Sequence, residues 1–314
     1  MSLSIKFILF QVLIIVPFIG GYFLRGRVPE TDSLAKKIVM ANLVLIEPPA
    51  IFWSIWGLSV STDLLYLPAA GLAMVIAGFV LGRAFLPLLK LEGRSRATFI
   101  ISSSLANHGF TMGGFLCFLF AGEKGLALSA IFVSYFIPYT FLFIFSYARR
   151  AGSDESGAGI EWYKYLINPQ NMPLYAVILA LLMNLFRVPR PDILFPVDLF
   201  IMISVVLYYL TLGTSFSFRD LGTSLKENAL IAIIKFMILP AAAFMILDRL
   251  ELSPLVESVI MIQSFMPAAV YSVVTSILFN LESRLASGIF VVNTLAFIIL
   301  VLPVLFLIYG GSLL

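Results

Sequence analysis

Ten apolar runs, each about 20 residues long, follow one another along the chain and are separated by short polar segments. An α-helix needs about 20 mostly apolar residues to cross the hydrocarbon core of a bilayer, so each run predicts one transmembrane helix. The predicted helices cover residues 5–24, 35–57, 65–89, 97–119, 125–148, 168–186, 197–217, 227–248, 255–279 and 285–309. The pattern therefore predicts an all-α integral membrane protein with ten transmembrane helices.

The longest polar segment divides these predicted helices into two sets of five. It runs from Arg149 to Lys164 and is rich in Gly, Ser and charged residues, which is typical of a flexible linker. We therefore predict a first unit at residues 1–150, a linker at 151–167 and a second unit at 168–314.

The fourth and ninth predicted helices are interrupted. Pro267 interrupts the ninth, and a group of polar and small residues interrupts the fourth: Asn107, His108, Gly109, Gly113 and Gly114. An interruption frees backbone N–H and C=O groups that hydrocarbon cannot satisfy, so it must be buried in protein or line a wet cavity. Transporters form solute sites from helices of this kind.

Several features recur about 160 residues apart, which indicates an internal repeat. The two interruptions correspond to each other, Pro138 corresponds to Pro303, and Ser134 corresponds to Asn293. Because each set has an odd number of helices, the second set must enter the membrane from the opposite side. The sequence thus predicts two inverted five-helix repeats, with broken helices four and nine crossing at the repeat interface.

Basic residues near the ends of the predicted helices favour one side of the membrane, and such an excess marks the cytoplasmic side. That side holds Arg25, Arg27, Lys36, Lys37, Arg83, Lys90, Arg94, Arg96, Arg149, Arg150, Lys164, Arg219, Lys226 and Arg284. The other side holds Lys6, Lys124, Arg187, Arg190 and Arg249. We expect a multi-pass protein of the plasma (inner) membrane, with the linker inside and both termini outside.

The amino-acid composition agrees with a membrane protein and excludes several other classes of protein. Hydrophobic residues make up 61% of the chain and charged residues 12%, far from the values of about 45–50% and 25% in soluble domains. The net charge of +3 is too small and too dispersed to predict nucleic-acid binding. The single cysteine, Cys117, cannot form an intrachain disulfide.

The interruptions have the chemistry of an anion site. Where a helix restarts inside the membrane, unpaired N–H groups and the positive end of the helix dipole point into the break. Amide side chains add donors and acceptors, and glycines let the backbone approach a ligand. The alternative is that the small residues serve helix packing and that the proline only kinks its helix. We predict a substrate site formed by Asn107, His108, Gly109, Gly113, Gly114, Gln263 and Pro267.

Other polar residues within the predicted helices are candidates for coupling to an ion, because ionisable groups in a membrane are costly to keep. These candidates are Glu47, Ser134, Lys235, Asn293 and Thr294. Each candidate also has a structural alternative. In these alternatives Glu47 is a protonated or paired structural acid, the Lys235 side chain extends to the membrane boundary, and the hydroxyl groups bond to carbonyls of the preceding helical turn. The coupling ion is H⁺ or Na⁺, and the residues identify no metal-ligand cluster.

Four segments resemble the auxin efflux carrier family. They are KKIVMANLVLIEPPAIFWSI at 36–55, ANHGFTMGG at 106–114, NPQNMPLYAVILALLMNLFRVP at 168–189 and FMPAAVYSVVTSILFNLES at 265–283. The resemblance implies a ten-helix fold with two crossing broken helices, shared with bile acid sodium symporters and sodium/proton antiporters. It also implies transport of organic anions by alternating access. One departure is that Gly114 and Phe115 follow Gly113, where the family's Asn-x-Gly-x-x-Gly-x-Pro motif ends in proline.

No nucleotide-binding loop, zinc-ligand cluster or protease motif occurs in the sequence, so we expect neither an enzyme nor a bound cofactor. The expected function is secondary transport, as an efflux carrier of small organic anions. Two alternatives stay open: a sodium-coupled importer similar to bile acid symporters, and a membrane sensor that binds without transport. The expected partners are the organic anion and the lipid bilayer, without nucleic acid, and a homodimer is left open.

Overall fold

The structure is a computed structural model that describes residues 3–25, 27, 31–59, 61–152, 169–215 and 224–309. These residues fold almost entirely into helices joined by short turns. In chain order the α-helices are Leu3–Leu24, Thr31–Ala41, Glu47–Trp56, Tyr66–Phe85, Gly93–Ser104, Gly113–Val133, Phe136–Pro138, Phe145–Gly152, Met172–Leu185, Val197–Ser215, Leu225–Ile233, Leu239–Leu247, Pro254–Ser264, Val270–Leu278, Ser283–Ala296 and Leu302–Tyr309. Most of the predicted linker, residues 153–167, lies outside the described residues.

Six helices in the described part of the chain are long and apolar enough to cross a membrane. They are Ser33–Trp56, Thr62–Leu88, Gly113–Gly152, Val197–Thr214, Leu225–Leu247 and Ser283–Tyr309. Two shorter apolar helices are Gln11–Leu24 and Met172–Leu185. The protein is a multi-pass α-helical integral membrane protein, as the hydropathy pattern predicted. Its arrangement as ten helices in inverted repeats stays a prediction.

Widened, π-helical turns lie within several of the long helices, and proline accounts for three of them. These turns are Asn42–Ile46, Ile234–Ile238 and Phe297–Val301. Each ends two residues before a proline, at Pro48, Pro240 and Pro303. Proline has no N–H to donate to the carbonyl four residues earlier, and its ring presses on that carbonyl, so the turn widens around it.

One group of helices, here called the flanking bundle, contains Leu3–Leu24 packed along Val197–Ser215 and Glu47–Trp56 packed along Met172–Leu185. Two glycines permit the close contact in the first pair. A Cβ atom on Gly21 or on Gly213 would collide with backbone atoms of the partner helix. Small residues let helix backbones approach closely in a membrane, where packing rather than hydrophobic burial holds helices together.

A second group, here called the broken-helix bundle, is made of the described helices within residues 62–152 and 225–309. At its centre lies the first half of Gly113–Val133, whose residues 113–120 are all buried. Pro254–Ser264 packs on this helix within the bundle, and Glu47–Trp56 of the flanking bundle packs on it from outside. The two bundles therefore meet beside the first predicted interruption.

Candidate functional site

The first interruption covers residues 105–112, which are not helical and separate two half-helices. Hydrogen bonds between nearby backbone groups span the interruption. The Gly113 amide donates to the Asn107 carbonyl at 3.1 Å, and the Gly114 amide donates to the Gly109 carbonyl at 2.8 Å. Gly113 and Gly114 therefore belong to the first turn of the second half-helix and not to the break itself.

The second interruption covers residues 265–269 around Pro267, and it pairs with the first. The Asn107 amide donates to the Pro267 carbonyl at 2.8 Å, and the Ala269 amide donates to the Leu105 carbonyl at 3.2 Å. The two bonds form an isolated antiparallel bridge. Because buried backbone groups need partners, each interruption supplies an acceptor that the other requires.

His108 lies within the first interruption and is 3% exposed. Its Nδ1 is 2.6 Å from the hydroxyl oxygen of Tyr135. Its ring meets that of Phe132 edge-on, with centroids 5.0 Å apart. One hydrogen bond and one aromatic contact thus fix the orientation of the imidazole. Which ring nitrogen carries the proton decides which atom of the Tyr135 bond is the donor.

Asn107 organises the first interruption through both its backbone and its side chain. Its Oδ1 accepts a hydrogen bond from the Thr111 hydroxyl, four residues later. The Thr111 carbonyl accepts a hydrogen bond of 2.8 Å from the Tyr209 hydroxyl. Tyr209 belongs to Val197–Ser215 of the flanking bundle. The interruption is therefore linked to both bundles, through the broken helices themselves and through Tyr209.

Gln263, at the end of Pro254–Ser264, reaches across to the first interruption and is fully buried. Its Nε2 donates to the His108 carbonyl at 3.1 Å and to the Ser129 hydroxyl at 2.7 Å. Its Oε1 has no hydrogen-bond partner among the described residues and lies against Gly113, where a Cβ atom would collide with it. Gly113 is thus required by the close approach of Gln263.

The other predicted site residues have different surroundings. A Cβ atom on Gly109 would meet nothing within 4 Å, whereas one on Gly114 would lie 3.2 Å from the Gly109 carbonyl oxygen. Pro267 contributes its carbonyl to the bridge. The structure therefore gathers all seven residues predicted for the substrate site at the paired interruptions. Their binding of a solute stays a prediction.

The two helix restarts differ in how their first amides are used. Those of Gly113 and Gly114 already donate to carbonyls of the first interruption. For the amides of Val270 and Tyr271, which open Val270–Leu278, no hydrogen bond is found within the described residues. The free donors that the sequence predicted where a helix restarts are therefore found at the second restart.

Lys235 is fully buried on the π-helical turn Ile234–Ile238. Its Nζ donates a hydrogen bond of 3.0 Å to the carbonyl of Ser104, the last residue of Gly93–Ser104. The alternative that Lys235 snorkels to the membrane boundary is therefore wrong. Its side chain turns inward because a carbonyl at a helix end lacks a partner within the helix and carries partial negative charge. It therefore accepts a hydrogen bond from the Lys235 amine.

Among the described residues, no hydrogen bond joins the candidates Ser134, Asn293 or Thr294 to the paired interruptions. Asn293 is fully buried, and its Nδ2 donates to Asn228 Oδ1 at 3.3 Å and to the Ile289 carbonyl at 3.0 Å. The Oγ1 of Thr294 is buried without a partner among the described residues. Ser134 lies just after Gly113–Val133 and is partly exposed. Nothing in these contacts brings the three residues together.

Glu47 lies in the flanking bundle and not at the interruptions. Glu47 is 4% exposed, and its Oε1 is 3.5 Å from the Ser204 hydroxyl. Tyr208 lies close enough to interact with the same carboxyl. The sequence located this acid inside a helix, but only the packing of that helix on Val197–Ser215 shows which groups surround it.

Sequence reasoning missed the hydroxyl and carbonyl groups that hold the site together, namely Ser104, Ser129, Tyr135 and Tyr209. Hydroxyl residues within helices usually bond the preceding turn, so their presence alone carries little signal. Only Ser104 directly precedes an interruption in the sequence. No group of three or more His, Cys, Asp or Glu side chains that could hold a metal lies in the described part of the chain.

The apolar helices and the paired interruptions define a multi-pass helical membrane protein with polar groups gathered where two helices break. No protein-family model matches the chain. The chain is similar to the uncharacterized transporter MJ1031 of Methanocaldococcus jannaschii, with 25% identity over 307 residues. That alignment covers 93% of this chain and 96% of the other protein. The similarity thus extends over nearly the whole of both chains.

Proposed function

We propose that the protein is a secondary transporter of small organic anions that works by alternating access, with the solute bound where the interruptions meet. The observation that carries the proposal is the antiparallel pairing of residues 105–107 with residues 267–269. Non-helical backbone at membrane depth is tolerated where protein or a cavity satisfies it, and transporters bind solutes at such breaks. The similarity to a protein named as a transporter supports the same class.

The proposed architecture is ten transmembrane helices in two inverted five-helix repeats, at residues 1–150 and 168–314, with broken helices four and nine crossing. The bridge supports this arrangement, because each interruption donates one amide and accepts one in return: Asn107 to Pro267, and Ala269 to Leu105. A reciprocal exchange of this kind is expected where a pseudo-two-fold axis relates the two breaks.

An organic anion suits this place because two half-helices begin there. The positive ends of the dipoles of Gly113–Val133 and Val270–Leu278 point toward the interruptions, which favours negative charge without a fixed cation. The amides of Val270 and Tyr271 are the donors that support a carboxylate most directly. Asn107, His108 and Gln263 supply side-chain polar groups around the same point.

A sodium-coupled importer similar to bile acid symporters is the second candidate, and one atom favours it. Gln263 Oε1 is buried without a partner among the described residues, and an amide oxygen is a suitable ligand for a hard cation. The first candidate, an efflux carrier in the inner membrane with both termini outside, follows the resemblance to auxin efflux carriers and the distribution of basic residues.

Uptake into proteoliposomes tests the proposed function. The purified protein is reconstituted and supplied with radiolabelled benzoate, malate, indole-3-acetate and taurocholate, across a pH series, with and without sodium. We expect saturable uptake of at least one of these anions, faster when the same unlabelled anion is enclosed, and absent from liposomes without protein. Uptake that requires sodium selects the second candidate. Binding without exchange, or no binding of any anion, contradicts organic-anion transport.

A further inference from the structure

A second polar cluster lies in the flanking bundle, on helices that contain neither interruption. At its centre is the buried carboxyl of Glu47. The fully buried Ser204 places its hydroxyl 3.5 Å from Glu47 Oε1, and Tyr208 lies close enough to interact with the same carboxyl. Both neighbours come from Val197–Ser215. The acid is therefore held between two helices by groups that carry no positive charge.

The widened turn beside the proline pair adds a third residue to this cluster. In a π-helical turn, residues five apart share a hydrogen bond, and the Glu47 amide donates to the Asn42 carbonyl. Asn42 Nδ2 donates to the Ser204 carbonyl at 3.2 Å and to its hydroxyl at 3.0 Å. The Ser204 hydroxyl thus accepts from Asn42, and its own hydrogen is left for Glu47. Asn42 Oδ1 is buried with no partner among the described residues.

Nothing in the described part of the chain neutralises an ionised Glu47, because no ion pair to it is found there. The titratable side chains on helices packed against Glu47–Trp56 are Cys117, Glu123, Lys124, Tyr175, Asp198, Tyr208 and Tyr209, and Tyr271 interacts with Tyr208. Of these, Tyr208 contacts the carboxyl. A buried carboxylate without a counter-charge is costly, and binding a proton removes that cost.

A metal cation fits this cluster less well than a proton does. Hard cations take about six or more oxygen ligands. The cluster offers the Glu47 carboxyl, Asn42 Oδ1 and the Ser204 hydroxyl, and the hydroxyl already accepts one hydrogen bond. The amide nitrogen of Asn42 also points into the cluster and would repel a cation. These groups therefore suit a proton on the Glu47 carboxyl better than a bound metal cation.

The cluster is connected to the paired interruptions through two consecutive residues. Tyr208 interacts with Glu47, and Tyr209 donates to the Thr111 carbonyl in the first interruption at 2.8 Å. A displacement of the broken-helix bundle against the flanking bundle must change the Tyr209 contact. Tyr208 directly precedes Tyr209, so the same helix contacts both Glu47 and the first interruption.

We propose that Glu47, hydrogen-bonded to Ser204 and flanked by Tyr208 and Asn42, is a proton-binding site in the flanking bundle, separate from the solute site. Its role in coupling a proton to transport rests on the proposed function. The binding of the proton itself does not, so the two claims can fail independently.

Infrared spectroscopy of the full-length protein in lipid vesicles tests the site without any solute. A protonated carboxyl has a C=O absorption that an ionised one lacks. We expect such a band at neutral pH in the wild type and its loss in Glu47→Gln, whereas the exposed control Glu251→Gln retains it. Ser204→Ala should keep the band and shift its frequency, because one hydrogen bond to the carboxyl is removed.

A second measurement covers the case in which Glu47→Gln does not fold. In protein labelled with ¹³C-glutamate the wild-type band should shift, whereas in labelled Glu47→Asp the band should stay unshifted, because its carboxyl carries no label. A band that survives Glu47→Gln, or no band at neutral pH, overturns the proposal. Loss of the wild-type band on adding sodium at constant pH also overturns it, in favour of a cation site. Failed anion uptake with the band intact would count against the proposed function alone.

Discussion

The Lys235 Nζ lies 3.0 Å from the carbonyl oxygen of Ser104, the last residue of the half-helix before the first interruption. The final carbonyls of a helix lack partners within it and carry partial negative charge. Lys235 approaches this end from a different helix, on the turn widened by Pro240. The buried Lys235 amine therefore supplies a donor to the break on the side where the helix ends.

Replacing Lys235 with Met should lower the free energy of unfolding by about 1 to 3 kcal/mol, because the buried Ser104 carbonyl is left without its donor. The change is measured by thermal unfolding in detergent. Lys226→Met serves as the control, since Lys226 is exposed on the preceding helix Leu225–Ile233, and it should unfold as the wild type does. Equal unfolding temperatures for all three proteins would contradict a supporting role for Lys235.

Gly113→Ala should destabilise the protein, whereas Gly109→Ala should be tolerated. The first substitution drives a Cβ atom into Gln263 Oε1 and to 2.8 Å from the His108 carbonyl oxygen, and the second enters open space. Thermal unfolding of both variants measures the difference. Combining Gly113→Ala with Gln263→Ala should recover part of the loss, because two of the three colliding atoms belong to the Gln263 side chain. Destabilisation by Gly109→Ala of the same size would refute this account.

Asn107→Ala should weaken binding of the transported anion more than it lowers thermal stability. Loss of a polar contact that leaves a partner unsatisfied costs about 1 to 3 kcal/mol, which corresponds to a drop in affinity of roughly tenfold or more. Asn184→Ala is the matched control. Its amide donates to the Ile55 carbonyl at 2.7 Å within the flanking bundle, so it should affect stability without affecting affinity. Unchanged affinity in Asn107→Ala would assign Asn107 to structure alone.

Single cysteines at Ser156 and Ser312 should label from opposite sides of the membrane, because basic residues concentrate on the side of the predicted linker. The native Cys117 is buried and is first replaced by Ala. An impermeant maleimide added to intact cells should label Ser312→Cys, and Ser156→Cys should label after the cells are opened. Labelling of both sites from outside would overturn the predicted orientation.

If protons drive transport, Glu47→Gln should abolish the pH dependence of uptake while anion binding is retained, because it removes the ionisable group in the flanking bundle and leaves the interruptions intact. His108→Gln should weaken binding with the pH dependence preserved, since His108 lies at the interruptions and bonds to Tyr135. Uptake rates across a pH series measure both. A wild-type pH response in both variants would favour a sodium-driven or uncoupled mechanism.

The sequence by itself determined the class of the protein and the location of its two helix interruptions. Apolar runs alone indicated a helical membrane protein, because lipid demands long stretches with internally satisfied backbone. The polar residues and glycines near Asn107 and the proline at Pro267 located both interruptions, which the structure places at residues 105–112 and 265–269. Hydropathy and residue chemistry are local properties, so they can be determined from the sequence alone.

Only the tertiary structure decided which groups meet. It joined Gln263 to the His108 carbonyl, Lys235 to Ser104, and Tyr209 to Thr111, and it set Glu47 apart from the interruptions in a cluster of its own. The physical reason is that nearly every face of these helices is apolar, so hydropathy does not indicate which face packs against which neighbour. In a membrane, close packing and hydrogen bonds between helices make that choice, and they form only once the helices are assembled.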